Sequence, residues 1–199
     1  MIRSNSNWVA GSYQWNDEQT DAFLTENGKD LPLAWIDSAG NVRNIRYQIP
    51  AVSECATCHH AGAETLPIGF KVRNLNIEVK KKGNTSNQLL NFAKEGLMND
   101  LNPAAFSQLP DWRDKTASLE SRARAYLDVN CAHCHQDGGY CSKSSLRMDY
   151  ETPFEATKIS ERKKQIDRFM SGKKMPLTGT TVIDQEGLAM IKEYITSLK

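Results

Sequence analysis

The sequence predicts a mainly α-helical protein in two units, residues 1–110 and residues 111–199, the first of them carrying a small β-hairpin. Three observations carry that expectation. Apolar residues at helical spacing mark long helices in the second half. One clear pair of strand-like runs flanks a turn in the first half. Each half also holds one copy of the same short pattern, Cys-x-x-Cys-His.

Along the first unit, Trp8, Tyr13, Trp15 and Trp35 form an aromatic stretch with little helical period. Residues 17–24 read as one short helix. Leu33 to Asp37 and Val42 to Ile49 flank Ser38-Ala39-Gly40-Asn41, the signature of a hairpin, and Pro50 ends its second strand. After the first Cys-x-x-Cys-His comes a loop punctuated by Leu66-Pro67-Ile68-Gly69. Lys80-Lys81-Lys82 before Gly83-Asn84 reads as a solvated turn. Leu89, Phe92, Ala93 and Leu97 predict a helix over residues 86–98, capped by Ser86. Residues 99–114 read as a linker.

In the second unit, Leu119, Ala123, Tyr126, Leu127 and Asn130 share one face of a helix that runs directly into Cys131. Ile159, Ile166 and Phe169 mark an inward face on a basic helix. Leu188, Ile191, Ile195 and Leu198 stripe a terminal helix with Asp184 as its cap, and small Ala123 suits a close crossing of two helices.

Composition excludes several classes. The 199 residues are 39% hydrophobic with a formal charge of +1, which offers nothing to nucleic acid. No run is long and apolar enough to span a membrane. The first residues, Met1 to Asn7, lack the apolar run of a secretory signal, so export is not visible in the sequence itself.

The five cysteines fall as two Cys-x-x-Cys pairs plus Cys141. One zinc site built from both pairs is a poor fit, because short zinc modules use far tighter spacing than that between Cys58 and Cys131. A thioredoxin-type motif expects a βαβ context, and the flank of Cys131 is helical. Structural disulfides rarely close so small a ring. The reading that uses every residue is covalent haem attachment at Cys55-Ala56-Thr57-Cys58-His59 and at Cys131-Ala132-His133-Cys134-His135. Two thiols add to the vinyl groups of one haem, and one turn of chain brings the next imidazole to the iron. The expected cofactors are therefore two covalently bound haem c groups. Cys55, Cys58, Cys131 and Cys134 are their anchors, and His59 and His135 their proximal ligands, each needing an acceptor for its second ring nitrogen. Because thioethers are made after export, the mature protein is expected in the periplasm or another extracytoplasmic space.

Met175, in Gly172-Lys173-Lys174-Met175-Pro176-Leu177, lies 40 residues after His135 and is the expected sixth ligand there, with Met170 and Met148 as competitors. Met98 lies 39 residues after His59 and is the candidate at the first site, against Lys71 or an open position. His60 cannot reach across from beside His59. His133 reads as a surface residue pointing away from its own iron. Cys141 reads as a small buried apolar residue, with a reactive thiol, an intermolecular disulfide or a haem ligand as alternatives.

Helix, Cys-x-x-Cys-His, loop, Met-Pro and terminal helix is the order of a class I cytochrome c domain, which the second half resembles. The whole chain resembles a family of bacterial dihaem cytochromes c, exported or lipid-anchored. The shared pieces are Tyr13-Gln14-Trp15-Asn16, Tyr47-Gln48-Ile49-Pro50, Leu66-Pro67-Ile68-Gly69, Arg73-Asn74-Leu75-Asn76, and above all Arg122-Ala123-Arg124-Ala125-Tyr126-Leu127-Asp128-Val129-Asn130 before Cys131. That resemblance implies two haems in one compact unit and an electron-transfer role without a known substrate. The chain departs from it at Cys141 and in the short basic stretch before Met175. At the Met98 position the family often has another aliphatic residue.

The expected function is electron transfer between redox partner proteins rather than catalysis. From Lys158 to Lys174 there are seven Lys/Arg against two Asp/Glu, a surface suited to an acidic partner. The alternative is a small dihaem oxidoreductase with an open or Cys-ligated iron acting on a small molecule. Oligomeric state is not legible from the sequence.

Overall fold

A computed structural model describes all residues, Met1–Lys199. It corrects the expected fold class. Helix accounts for 32% of the residues and strand for 21%, with the strands in five separate two-stranded antiparallel sheets, so the chain is not a mainly α cytochrome fold. No helix is long and apolar enough to cross a membrane.

The first half is a succession of local hairpins. Strands β1 (Ile2–Ser4) and β2 (Asn7–Val9) pair first, then β3 (Ser12–Trp15) with β4 (Ala22–Thr25), and β5 (Lys29–Ile36) with β6 (Val42–Ile49). The β5–β6 hairpin has the expected turn, where Asp37 Oδ1 accepts from the Ala39 and Asn41 amides. The short helix expected over residues 17–24 is absent. Asn16 Oδ1 accepts from the amides of Thr20 and Asp21, and Gln19 sits at φ 55°, so the chain turns back to pair Trp15 with Ala22. The β1–β2 turn likewise places Asn5 and Ser6 at positive φ, as tight two-residue hairpin turns demand.

Helix α1 (Val52–Cys58) follows, then the two-residue strands β7 (His60–Ala61) and β8 (Glu64–Thr65), and the single-turn helix α2 (Val72–Leu75). The lysine run is not a bare turn but one arm of a hairpin, β9 (Glu78–Lys81) with β10 (Asn84–Asn87), reversed at Lys82 and Gly83, both at positive φ. Helix α3 (Gln88–Lys94) is shorter than expected. Asn87, not Ser86, caps it, because Ser86 is held in β10, and Gly96 at φ 71° follows its end. A 3-10 turn at Pro103–Ala105 interrupts the linker.

The second half holds the long helices α4 (Leu119–Asn130), α6 (Ile159–Ser171) and α7 (Gln185–Ser197), with the short α5 (Phe154–Thr157) between α4 and α6. Asp184 caps α7 through the Gly187 amide, as expected. The one continuous buried core lies entirely here, between Ala123 and Ile195, with Ala123, Leu127, Ile159 and Ile191 fully enclosed. The first half buries little apolar surface of its own: Trp15, Phe23, Ile36 and Val42 are all exposed.

Polar side chains hold the halves together. Asp128, fully buried on α4, accepts from Arg73 Nη2 at 2.5 Å, from the Tyr150 amide at 3.0 Å and from Lys71 Nζ at 3.5 Å. Arg73 also reaches Glu151 at 2.7 Å. Arg124 donates to the carbonyls of Asp149, Tyr150 and Thr152. Asn76 donates to the carbonyls of Pro103, Phe106 and Ser107, and accepts from Asn87. Buried carbonyls need such partners, which gives a structural reason for Arg73-Asn74-Leu75-Asn76 and for the arginines of α4.

Candidate functional site

Each Cys-x-x-Cys-His stretch is one turn of chain aimed at its own cavity. Cys55 and Cys58 lie on α1, whose first turn is secured where the Ala51 amide donates to Glu54 Oε2 at 2.8 Å. His59 leaves the helix end with its amide bonded to the Cys55 carbonyl. Its Nδ1 donates to the Leu66 carbonyl at 3.1 Å, which leaves Nε2 as the nitrogen able to ligate a metal. The acceptor expected for His59 is therefore supplied by the Leu66-Pro67-Ile68-Gly69 loop.

Cys131 ends α4, and the amides of Cys134 and His135 both bond back to its carbonyl, at 3.1 and 3.0 Å. His135 Nδ1 is buried and makes no hydrogen bond, so the acceptor expected for this histidine is not there. Burial, followed by the charges of His133 and Arg147, lowers its pKa from the ordinary value, so the imidazole is neutral at pH 7. Neutral imidazole is the form that ligates metals.

The first cavity, about 490 Å³, lies between α4, α6 and α7. Cys131, Cys134 and His135 stand on its walls together with Met175, and Met148 and Met170 line it too. Met148 is packed into the core, whereas Met175 is half-buried on the loop after α6. The second cavity, about 500 Å³, is lined by Cys55, Cys58 and His59 with Ile68, Val129 and Pro176. Met98 lines neither cavity; it is half-buried in the bend after α3. Lys71 is engaged with Asp128. His60 bonds the Ala56 carbonyl through Nδ1 and packs edge-on against Tyr140.

The two cavities share a wall made by Cys58, Asn130, His133, Pro176 and Thr180. Nothing in the linear sequence announces this meeting. Cys134 Sγ lies 3.9 Å from Cys58 Sγ and 3.7 Å from the Thr57 carbonyl. His133, expected at the surface, is half-buried beside them with Nδ1 unpartnered, and one ligand atom from each of Cys58, His133 and Cys134 fits within 4.8 Å of the others. In the thiol state Cys134 donates to Cys58. That bond, with a second from His133, draws the Cys58 pKa down, and it raises that of Cys134. Cys131 is pushed up to about 12 by burial alone. Cys141 lines the first cavity, half-buried, with its thiol pKa raised by burial.

Both cavities fall in the range of roughly 300–1,000 Å³ usual for cofactor sites. The first offers Cys131, Cys134 and His135 with Cys58, His133 and Cys141, and adds the Met175 thioether; the second offers Cys55, Cys58 and His59 with His133. Arg162 and Lys173, which the spacing did not single out as site residues, line the first cavity as well. Comparison with protein-family models, with curated proteins and with solved structures gives no match to this chain.

Proposed function

We propose that the chain is a dihaem c-type cytochrome that carries electrons between redox proteins. The observation that carries this reading is that both Cys-x-x-Cys-His turns open onto cofactor-sized cavities, each with its own histidine on the wall. Cys55, Cys58 and His59 would hold one haem, and Cys131, Cys134 and His135 the other, with Met175 as the sixth ligand of the second. When bound, the haems supply reversible one-electron exchange at iron. The chain's own residues do the rest. Leu66 fixes the His59 ring through its carbonyl, Met175 would present a thioether that favours the reduced state, and the walls from α4, α6 and α7 would shield a haem held there from water. The reading carries with it an extracytoplasmic location and membership of the dihaem cytochromes that the sequence resembles.

Intact-mass and absorption measurements on matured protein test it directly. Two covalently attached haems are expected, and Met175→Ala should abolish the weak red sulfur-to-iron charge-transfer band of one haem and lower its potential. Protein that carries zinc at Cys58, His133 and Cys134, with no covalent tetrapyrrole, would overturn the reading.

A second reading has one observation in its favour. Met98 lines neither cavity, which leaves the first site without a sulfur ligand from that position. A small dihaem oxidoreductase with one open iron would bind carbon monoxide rapidly when reduced; two inert low-spin haems exclude it.

For partners, the reading favours an acidic redox protein docking beside Met175. Several cations of this stretch are spent internally: Lys158 pairs with Glu161, and Lys163 reaches the Leu198 carbonyl. Lys164, Arg168, Lys173 and Lys174 remain exposed. Oxidation by an anionic iron hexacyanide should therefore slow as salt shortens the Debye length towards about 8 Å. Lys164→Glu with Lys174→Glu should slow it further. A rate indifferent to both would discard the docking surface.

A further inference from the structure

The two motifs meet sulfur to sulfur. Cys58 and Cys134 are each the second cysteine of their motif, and their Sγ atoms are 3.9 Å apart, ordinary van der Waals contact with no atom between. The contact is fixed from several directions. Cys134 Sγ also rests on the Thr57 carbonyl at 3.7 Å. The loops that follow the two motifs are tied where the Gly62 amide donates to the Gly138 carbonyl at 2.9 Å, and the His60 and Tyr140 rings meet edge-on at 6.5 Å. Gly138 sits at φ 76°, and a Cβ there would crowd the Gly62 nitrogen at 3.2 Å. This approach therefore belongs to glycine.

We propose that the Cys58–Cys134 contact is the electron junction of the molecule, through which its two haem sites exchange electrons internally. The inference rests on the dihaem reading above. Each of these sulfurs would be covalently joined to one macrocycle, so the path from one π-system to the other crosses a single non-bonded gap. Electron transfer decays steeply with through-space distance, and in this contact the atoms on both sides of the gap would be haem-bonded sulfurs. The step is one electron only: one iron goes from ferrous to ferric as the other goes from ferric to ferrous, with no bond made and no proton moved. The molecule would then accept an electron at one site and release it from the other, the basic surface beside Met175 serving one of the two.

The test uses the mature holoprotein and single-sulfur variants. Cys134→Ser keeps Cys131 as an anchor and His135 as a ligand but removes the junction sulfur; Cys58→Ser does the same at the first site. Cys131→Ser, which removes a thioether away from the junction, is the control. Intact mass first counts haems in each. One electron is then injected by pulse radiolysis, and its redistribution between the haems is followed by absorption. In the wild type the redistribution should be fast and independent of protein concentration. Cys134→Ser and Cys58→Ser should slow it by an order of magnitude relative to Cys131→Ser. Equal rates in all three variants, or a wild-type rate that scales with concentration, would overturn the junction. If the variants do not mature, the wild type decides alone. The electron paramagnetic resonance signal of one ferric haem should differ between the fully oxidised and the half-reduced protein, and two signals blind to each other would overturn the proposal. Protein without two haems fails at the mass measurement and sinks the underlying reading instead.

Discussion

Asp128→Ala is expected to destabilise the folded protein by about 3–5 kcal/mol, the cost of removing one partner from a buried ion pair. The Asp128 side chain has no solvent exposure, and the Arg73 side chain is only 13% exposed. Removing the carboxylate leaves a guanidinium with Glu151 as its remaining acidic partner, and that carboxylate is 56% exposed and well solvated. It also strips the Tyr150 amide and Lys71 of a shared acceptor. Because whole domains are stable by only about 5–15 kcal/mol, such a loss is a large part of the total. Asp128→Asn keeps the shape and can still accept from Tyr150, so it should cost less than the alanine. Arg73→Ala alone should also be severe, and the Asp128→Ala/Arg73→Ala double variant should cost clearly less than the two singles added together. Urea unfolding of the four proteins measures all of this. Additive losses would mean that the two side chains do not act as a pair.

That pair also marks where sequence reading reaches its limit. Helices α4 and α7 announce themselves because their apolar residues recur at helical spacing, and Asp184 caps α7 where a cap was expected. The β5–β6 hairpin is legible from Asn41 and Gly40 in its turn. Two of the remaining hairpins turn on Asn5, Ser6 and Gln19 at positive φ, and the other two on Gly62 and on Lys82 with Gly83. Ser and Gln carry little of the signal that glycine carries, and the short strands beside all four turns show too little alternation to read, so the strand content was hidden. At the site, local chemistry was readable: the motif spacing alone names Cys55, Cys58, His59, Cys131, Cys134 and His135. What spacing cannot contain is the shared wall. His133 becomes half-buried, and Cys58 meets Cys134, where contacts between distant parts of the chain, Arg73 to Asp128 and Gly62 to Gly138, bring the two halves together. Met98 lines neither cavity: the chain between it and His59 is a hairpin and a short helix, not the path that carries Met175 to its cavity, so the echo of the His135–Met175 spacing has no structural counterpart.

Gly187→Ala is expected to destabilise the protein, although alanine is the better helix former by about 0.5–1 kcal/mol. Gly187 lies in the first turn of α7, with Tyr126 of α4 directly against it, and a Cβ built there would fall within the edge of the Tyr126 ring. The ring has little freedom to yield. Tyr126 is buried, its hydroxyl donates to Asp184 at 3.2 Å, and Trp112 packs against it edge-on at 5.2 Å between ring centres. Overpacking of a fixed core position typically costs about 1–3 kcal/mol, which outweighs the helix-propensity gain. Gly187→Val should cost more, adding bulk and a β-branched side chain. Ala123 was expected to permit the helix crossing; Gly187 is the residue that lets the Tyr126 ring reach α7, one position before Leu188 on the cavity wall. On the proposed dihaem reading, the loss should be accompanied by a weaker Met175 charge-transfer band. Tyr126→Leu should relieve part of the penalty when combined with Gly187→Ala, since the ring edge that clashes is gone. Were Gly187→Ala to raise the unfolding midpoint on its own, Tyr126 could not be held where the hydrogen bond to Asp184 puts it, and the tight α4–α7 crossing would have to be abandoned.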